Sequence, residues 1–183
     1  MARAVLEPRI DREIFVVPLE VRPEHIDDNG HVNNVVYVGW LQDAGTAHWN
    51  ARFDDATRAR WSWVGTRHEI DYFRPLMPDS VGVVARTWVG DPQGPRFTRY
   101  VRIEDAQGRV CAQGVTEWVL VDSRTMRPYR IPADMLPALS TVHINGAHIG
   151  HLAARYLIDC AEGRSVDRRV VEVDFSIVER DTT

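Results

Sequence analysis

A single change of period divides this chain. From Asn34 to about Ala51, Val36, Tyr37, Trp40, Leu41, Ala44, Ala47 and His48 recur at helical spacing. From there to Asp122 the sequence reads mostly as strand. Ile14–Arg22 is a β-branched run before the helix, and Pro18 within it marks an edge strand or a bulge. After the helix, 54–61 adds a further helical turn or two. Strands then follow at 65–74, 81–89, 96–104 and 109–122, and Asp105-Ala106-Gln107-Gly108 between the last two is a hairpin signal. Pro132–Leu139 reads as a short closing helix with proline in its first turn. One long helix amid an antiparallel meander makes the fold class α+β.

Composition narrows the function classes. With 183 residues, 44% hydrophobic and 26% charged, the chain has the balance of a soluble globular domain. A net charge of −4 argues against a nucleic-acid partner, which demands a basic footprint. Cys111 and Cys160 are far apart and in no metal-like spacing, so both are expected as reduced thiols in a cytoplasmic protein. The first residues have no long apolar core, so no signal peptide is expected. No apolar run is long enough to span a bilayer, so no membrane partner is expected either.

Just before the helix lies the densest cluster of chemical side chains, Asp27-Asp28-Asn29-Gly30-His31-Val32-Asn33-Asn34. It places a carboxylate, amides and an imidazole in a polar turn that opens onto a helix start. Unpaired backbone N–H groups converge at such a start, and Asn33 or Asn34 is a natural N-cap. The alternative for Asp27 and Asn29 is a structural one, Asx-type hydrogen bonds within the turn.

These residues resemble the hotdog-fold thioesterases of the 4-hydroxybenzoyl-CoA thioesterase type, and in motif most of all the acyl-ACP thioesterase branch. The resemblance rests on Asp27-x-Asn29-x-His31-Val32-Asn33-Asn34 with Val35-x-Tyr37-x-Gly39-Trp40. It continues through Ile70-Asp71-Tyr72-Phe73-Arg74 and Pro78-Asp79-Ser80-Val81 to Glu117-Trp118-Val119-Leu120-Val121-Asp122, Arg127-Pro128 and Ile131-Pro132. It implies an antiparallel sheet wrapped around a long central helix, assembled as a homodimer or higher homo-oligomer. It also implies hydrolysis of an acyl thioester, acyl-CoA or acyl-ACP, as in fatty acid metabolism, with no cofactor and no metal.

By resemblance, Asp27 is the catalytic carboxylate, as general base or nucleophile, and Asn29 and His31 support it. The backbone N–H groups of Asn34 and Val35 form the oxyanion site, and Tyr37 and Trp40 line the substrate. The branch carries a further carboxylate where this chain has Pro75. Glu69, Asp71 or the helical Asp43 could replace it, and Asp43 is the runner-up catalytic carboxylate. Competing readings are a non-catalytic acyl-CoA-binding or structural hotdog, and a hotdog hydratase or dehydratase. In the latter motif a proline would stand at Gly30 and the histidine one position later than His31.

The tail echoes the first half. His148-Ile149-Gly150-His151-Leu152 aligns with His31-Val32-Asn33-Asn34-Val35, and Glu172-Val173-Asp174-Phe175 with Glu69-Ile70-Asp71-Tyr72. Residues 1–140 are therefore expected as the hotdog domain. Residues 141–183 are expected as a partial, degenerate second copy, or a helix-strand extension, lacking the Asp27 and Asn29 equivalents. The pair His148-x-x-His151 has no carboxylate or cysteine to complete a metal site.

Overall fold

The computed structural model describes residues 4–8 and 12–136, all within the unit Met1–Thr141. The expected second hotdog copy, His148 and His151, Cys160 and the last three residues of the expected closing helix, 137–139, lie outside the described residues. Among the described residues are five strands and two α-helices, and an antiparallel sheet packed on one long helix agrees with the α+β class. In chain order these are β1 (Phe15–Leu19), α1 (Asn34–Arg52), α2 (Asp55–Arg60), β2 (Trp61–Tyr72), β3 (Val83–Val89), β4 (Arg96–Glu104) and β5 (Val110–Asp122). The antiparallel sheet has the order β1-β3-β4-β5-β2.

Edges fall where the local chemistry allows them. Pro18 cannot donate to a ladder, and β1 that carries it lies at one edge, with Pro18 opposite Val84. The other edge is β2. It pairs with β5 along nearly its whole length, with one bulge between Gly65 and Arg67. The strand begins at Trp61 rather than the expected Gly65, because its first four residues pair with 119–122 of β5. Between β4 and β5, Gly108 N–H donates to Asp105 C=O at 2.9 Å, closing the expected hairpin.

Strand alternation gives the sheet two different faces. Phe97, Arg99, Val101 and Ile103 of β4 share one face with Ala85 of β3 and Ala112, Gly114 and Thr116 of β5, and α1 covers this face. The opposite face carries Arg102 and Glu104. It is crossed by the N-terminal segment, where Gln113 Nε2 donates to Ala4 C=O and Leu6 N–H donates to Gln113 Oε1.

Under α1 the core has two parts. Tyr37, Trp40, Leu41 and Ala44 pack with Leu76, Val83, Ala85, Val101, Ile103 and Ala112. Nearer the helix C-terminus, Trp49 and Phe53 pack with Trp61, Val89, Phe97, Leu120, Ile131 and Met135. Leu41 of the helix is fully buried and packs directly onto Gly114 of β5. A Cβ at Gly114 would stand 1.9 Å from Leu41 Cδ2.

Gly114→Ala should therefore destabilise the fold by about 1–3 kcal/mol, the cost of overpacking a tight core. Leu41→Ala alone should cost about 2–5 kcal/mol by opening a cavity. Urea denaturation should show the double variant less destabilised than the sum of the two, since each change relieves the other.

Candidate active site

The polar turn is a miniature hairpin. Ile26 and Val32 form an isolated antiparallel bridge. Within it, Asp27 N–H donates to His31 C=O at 3.0 Å and Gly30 N–H to Asp27 C=O at 2.9 Å. Gly30 has φ +79°, the left-handed conformation that closes such a turn and that L side chains resist. A five-residue loop is thereby set at the foot of α1. It is anchored by Val32 N–H on Leu76 C=O and by Asn33 N–H on His25 C=O, both at 2.9 Å.

The geometry treats the expected residues unequally. Asp27 and His31 come together, with Oδ1 and Nδ1 3.7 Å apart. At that separation the imidazole is an electrostatic neighbour of the carboxylate rather than a hydrogen-bond donor. Asp27 Oδ1 also accepts the Asn29 N–H at 2.9 Å, so the Asx-type turn is present. Asn29 thus holds Asp27 through its backbone, and its side chain lies exposed.

At the helix start, Asn33 is the N-cap, its Oδ1 accepting the Val35 N–H at 2.9 Å. That donor is therefore occupied, leaving the Asn34 N–H as the one of the expected pair that makes no hydrogen bond among the described residues.

Tyr37 and Trp40 are core side chains, 2% and 6% exposed. Tyr37 Oη accepts the Leu76 N–H at 3.1 Å, so the Leu76 peptide is held at both ends, by the helix and by the turn. Burial pushes the Tyr37 phenol above its ordinary pKa, which keeps it neutral. Tyr72 Oη donates to Asn34 C=O at 3.1 Å and ties β2 to the first turn of α1.

The substitutes for the carboxylate missing at Pro75 do not converge on Asp27. Glu69 and Asp71 point to the sheet face opposite α1: Glu69 pairs with Arg67, and Asp71 accepts from Gln113 Nε2 at 3.2 Å. Asp43 is exposed on α1, nine residues past Asn34 and so about 13 Å along the axis.

A second polar cluster escaped the sequence reading. Arginine is a surface residue by default, and Arg67, Arg74 and Arg96 are exposed, but Arg99 is only 3% exposed, on the α1 side of β4. The available signal was alternation, which puts Arg99 on one face with Phe97, Val101 and Ile103. Its Nη1 donates to Thr87 Oγ1 at 2.9 Å and meets His48 Nδ1 at 3.2 Å. Burial, and then the neighbouring Arg99 charge, lower the His48 pKa to about 3. Neutral His48 accepts from Arg99 through Nδ1, which places its own proton on Nε2, and that atom is buried without a partner among the described residues.

Two measurements test these assignments. Tyr37→Phe leaves the Leu76 N–H buried without an acceptor and should lower stability by about 1–3 kcal/mol in urea titration. His48 is neutral in the folded chain down to about pH 3, while its unfolded pKa is near 6.5. Its contribution is therefore complete above pH 6.5 and declines below it, by about 1.4 kcal/mol per pH unit until pH 3. Denaturation at stepped pH should show that slope in the wild type and its loss in His48→Gln.

Comparison with known proteins gives a consistent picture. The family model of the thioesterase-like superfamily matches residues 21–139, which hold the turn, both helices and all strands but β1. No curated protein matches the chain. Among solved structures, a predicted thioesterase from Bacillus stearothermophilus is 26% identical, with a TM-score of 0.59 over 69% of this chain and 94% of its own. A thioesterase from Thermus thermophilus, complexed with coenzyme A and Zn, is 23% identical, with a TM-score of 0.57 over 68% of this chain and 90% of its own. A 1,4-dihydroxy-2-naphthoyl-CoA thioesterase from Synechocystis is 15% identical, with a TM-score of 0.60 over 70% of this chain and 97% of its own. The chain belongs to the thioesterase-like superfamily and is a thioester hydrolase of the hotdog fold.

Proposed function

We propose that the protein hydrolyses an acyl-CoA to free acid and coenzyme A, with Asp27 as the reacting carboxylate. The observation that carries this reading is the placement of Asp27: a partly exposed carboxylate held in the hydrogen-bonded turn that leads into α1, whose first N–H, that of Asn34, makes no hydrogen bond among the described residues. Attack on a thioester carbonyl creates an oxyanion, and the Asn34 N–H at the positive end of α1 is suited to hold it. Asp27 activates water or attacks directly. His31 stands 3.7 Å from the carboxylate, and the Asn29 N–H fixes the orientation of Asp27. Coenzyme A rather than an acyl carrier protein is the favoured carrier, because one of the similar structures is a coenzyme A complex.

The active form is a homodimer or higher oligomer. Among the described residues β2 is an edge strand with Val64, Tyr72 and neighbouring Phe73 exposed, and Val35 and Val38 of α1 add apolar surface. An unpaired strand edge bearing apolar side chains is a template for another chain.

A thiol-release assay over a panel of acyl-CoA and acyl-ACP substrates tests the reading. Asp27→Asn should reduce kcat by at least about a hundredfold on the best substrate, the scale lost with a positioned acid–base group. Equal turnover in wild type and variant would move the chemistry to another carboxylate, first Asp43. No thiol release from any substrate would remove the activity.

A further inference from the structure

Between the C-terminal half of α1 and strands β2, β4 and β5 lies a cavity of about 270 Å³. Trp49, Trp63, Phe97 and Trp118 line it, and Gly45 and Arg99 meet within it. The aromatic walls are fixed rather than loosely filled. Trp63 stands edge-to-face on Phe97 at 4.5 Å and on Trp49 at 5.9 Å, and Trp118 Nε1 donates to Thr116 Oγ1 at 2.7 Å. At Gly45 the helix presents no side chain: a Cβ there would lie 3.3 Å from Arg99 Nε.

Arg99 is the anomaly. Among the described residues no carboxylate pairs with it, and only its Nη1 donates hydrogen bonds, to the neutral partners Thr87 and His48. Nε and Nη2, half of a guanidinium fork, have no acceptor there. A cation withdrawn from water without a counter-charge is costly to the fold. A planar anion offering two oxygens would supply both the missing charge and the missing acceptors.

We propose that this cavity is a binding site for an aromatic carboxylate, held by the Arg99 fork with its ring against the tryptophans. A benzene or naphthalene ring fits the volume, and its faces and edges match the edge-to-face arrangement of the walls. The site stands on this geometry and not on the assignment of Asp27. Gly45 is eleven residues past Asn34, about 16 Å along α1. The carboxylate therefore has two sources: the far end of a long acyl group whose thioester lies at Asp27, or a separate aromatic acid.

Calorimetric titration of the full-length protein with benzoate, benzamide and acetate tests the site. Benzoate should bind with one-to-one stoichiometry, about ten- to a hundredfold tighter than benzamide, as a charge-assisted pair implies. Acetate should bind more weakly than benzoate for lack of the ring. Arg99→Met should abolish the preference for benzoate over benzamide. Thr46 is an exposed residue of α1 that also lines the cavity. Thr46→Trp should block benzoate while leaving Arg99 in place, which keeps the test decisive should Arg99→Met fail to fold. Equal binding of benzoate and benzamide, acetate binding as tightly as benzoate, or benzoate binding undiminished in Thr46→Trp would overturn the proposal. Competition between benzoate and thioester hydrolysis would assign the site to the acyl end of the substrate, and binding without competition to a separate acid. Benzoate binding to a protein that cleaves no thioester would leave the site standing and remove only the hydrolase mechanism.

Discussion

Everything in this fold depends on one helix covering one face of a five-stranded sheet. Leu41 takes the central place in that contact because Gly114 opposite it has no side chain. Bringing the helix this close lets Tyr37 on one side reach the Leu76 peptide and Ala44 on the other close over β3 and β4. A helix held further out would leave the Leu76 N–H unanswered and the turn before α1 unsupported. The core contact and the candidate site are therefore coupled through Tyr37 and Leu76.

The turn itself shows how structural and chemical roles share a residue. Asp27 Oδ1 accepts from Asn29 N–H, and such a bond is often taken as the whole reason for an aspartate in a turn. Here the same bond holds the carboxylate at a fixed orientation beside His31. A reacting group gains from such fixation, since misplacement by about 1 Å costs rate steeply. The two readings of Asp27, turn former and reacting group, therefore describe one geometry. The opposite holds for the Val35 N–H: once Asn33 caps the helix with it, that donor is unavailable to a ligand unless the cap is broken.

Much of this was legible in the sequence because local signals and tertiary structure agree. The helix from Asn34, the edge position of β1 and the β4–β5 hairpin follow from period, Pro18 and Asp105-Ala106-Gln107-Gly108. The early start of β2 was not legible, since nothing local distinguishes Trp61 from the helical turn before it and only pairing with β5 extends the strand. In the site, the clustering of Asp27 and His31 was legible because four residues of turn cannot carry them far apart. The faces of Glu69 and Asp71 depend on strand register, which one bulge between Gly65 and Arg67 is enough to shift.

Arg99 was missed because arginine is expected at the surface. Its position contradicted its neighbours, however: every second residue around it in β4 is apolar and faces the helix. A charge at such a position either has a partner that the sequence does not show or is retained at a cost to stability. Thr87 and His48 answer part of the guanidinium, and both are neutral. Even with its pKa lowered by burial to about 10, Arg99 remains a cation at neutral pH. Folding therefore confines a positive charge beside tryptophans with two of its donor atoms making no hydrogen bond among the described residues, and an apolar residue of similar size would fill the same space without that cost. A stability argument alone gives no reason for arginine at this place, whereas recognition of an anion gives one.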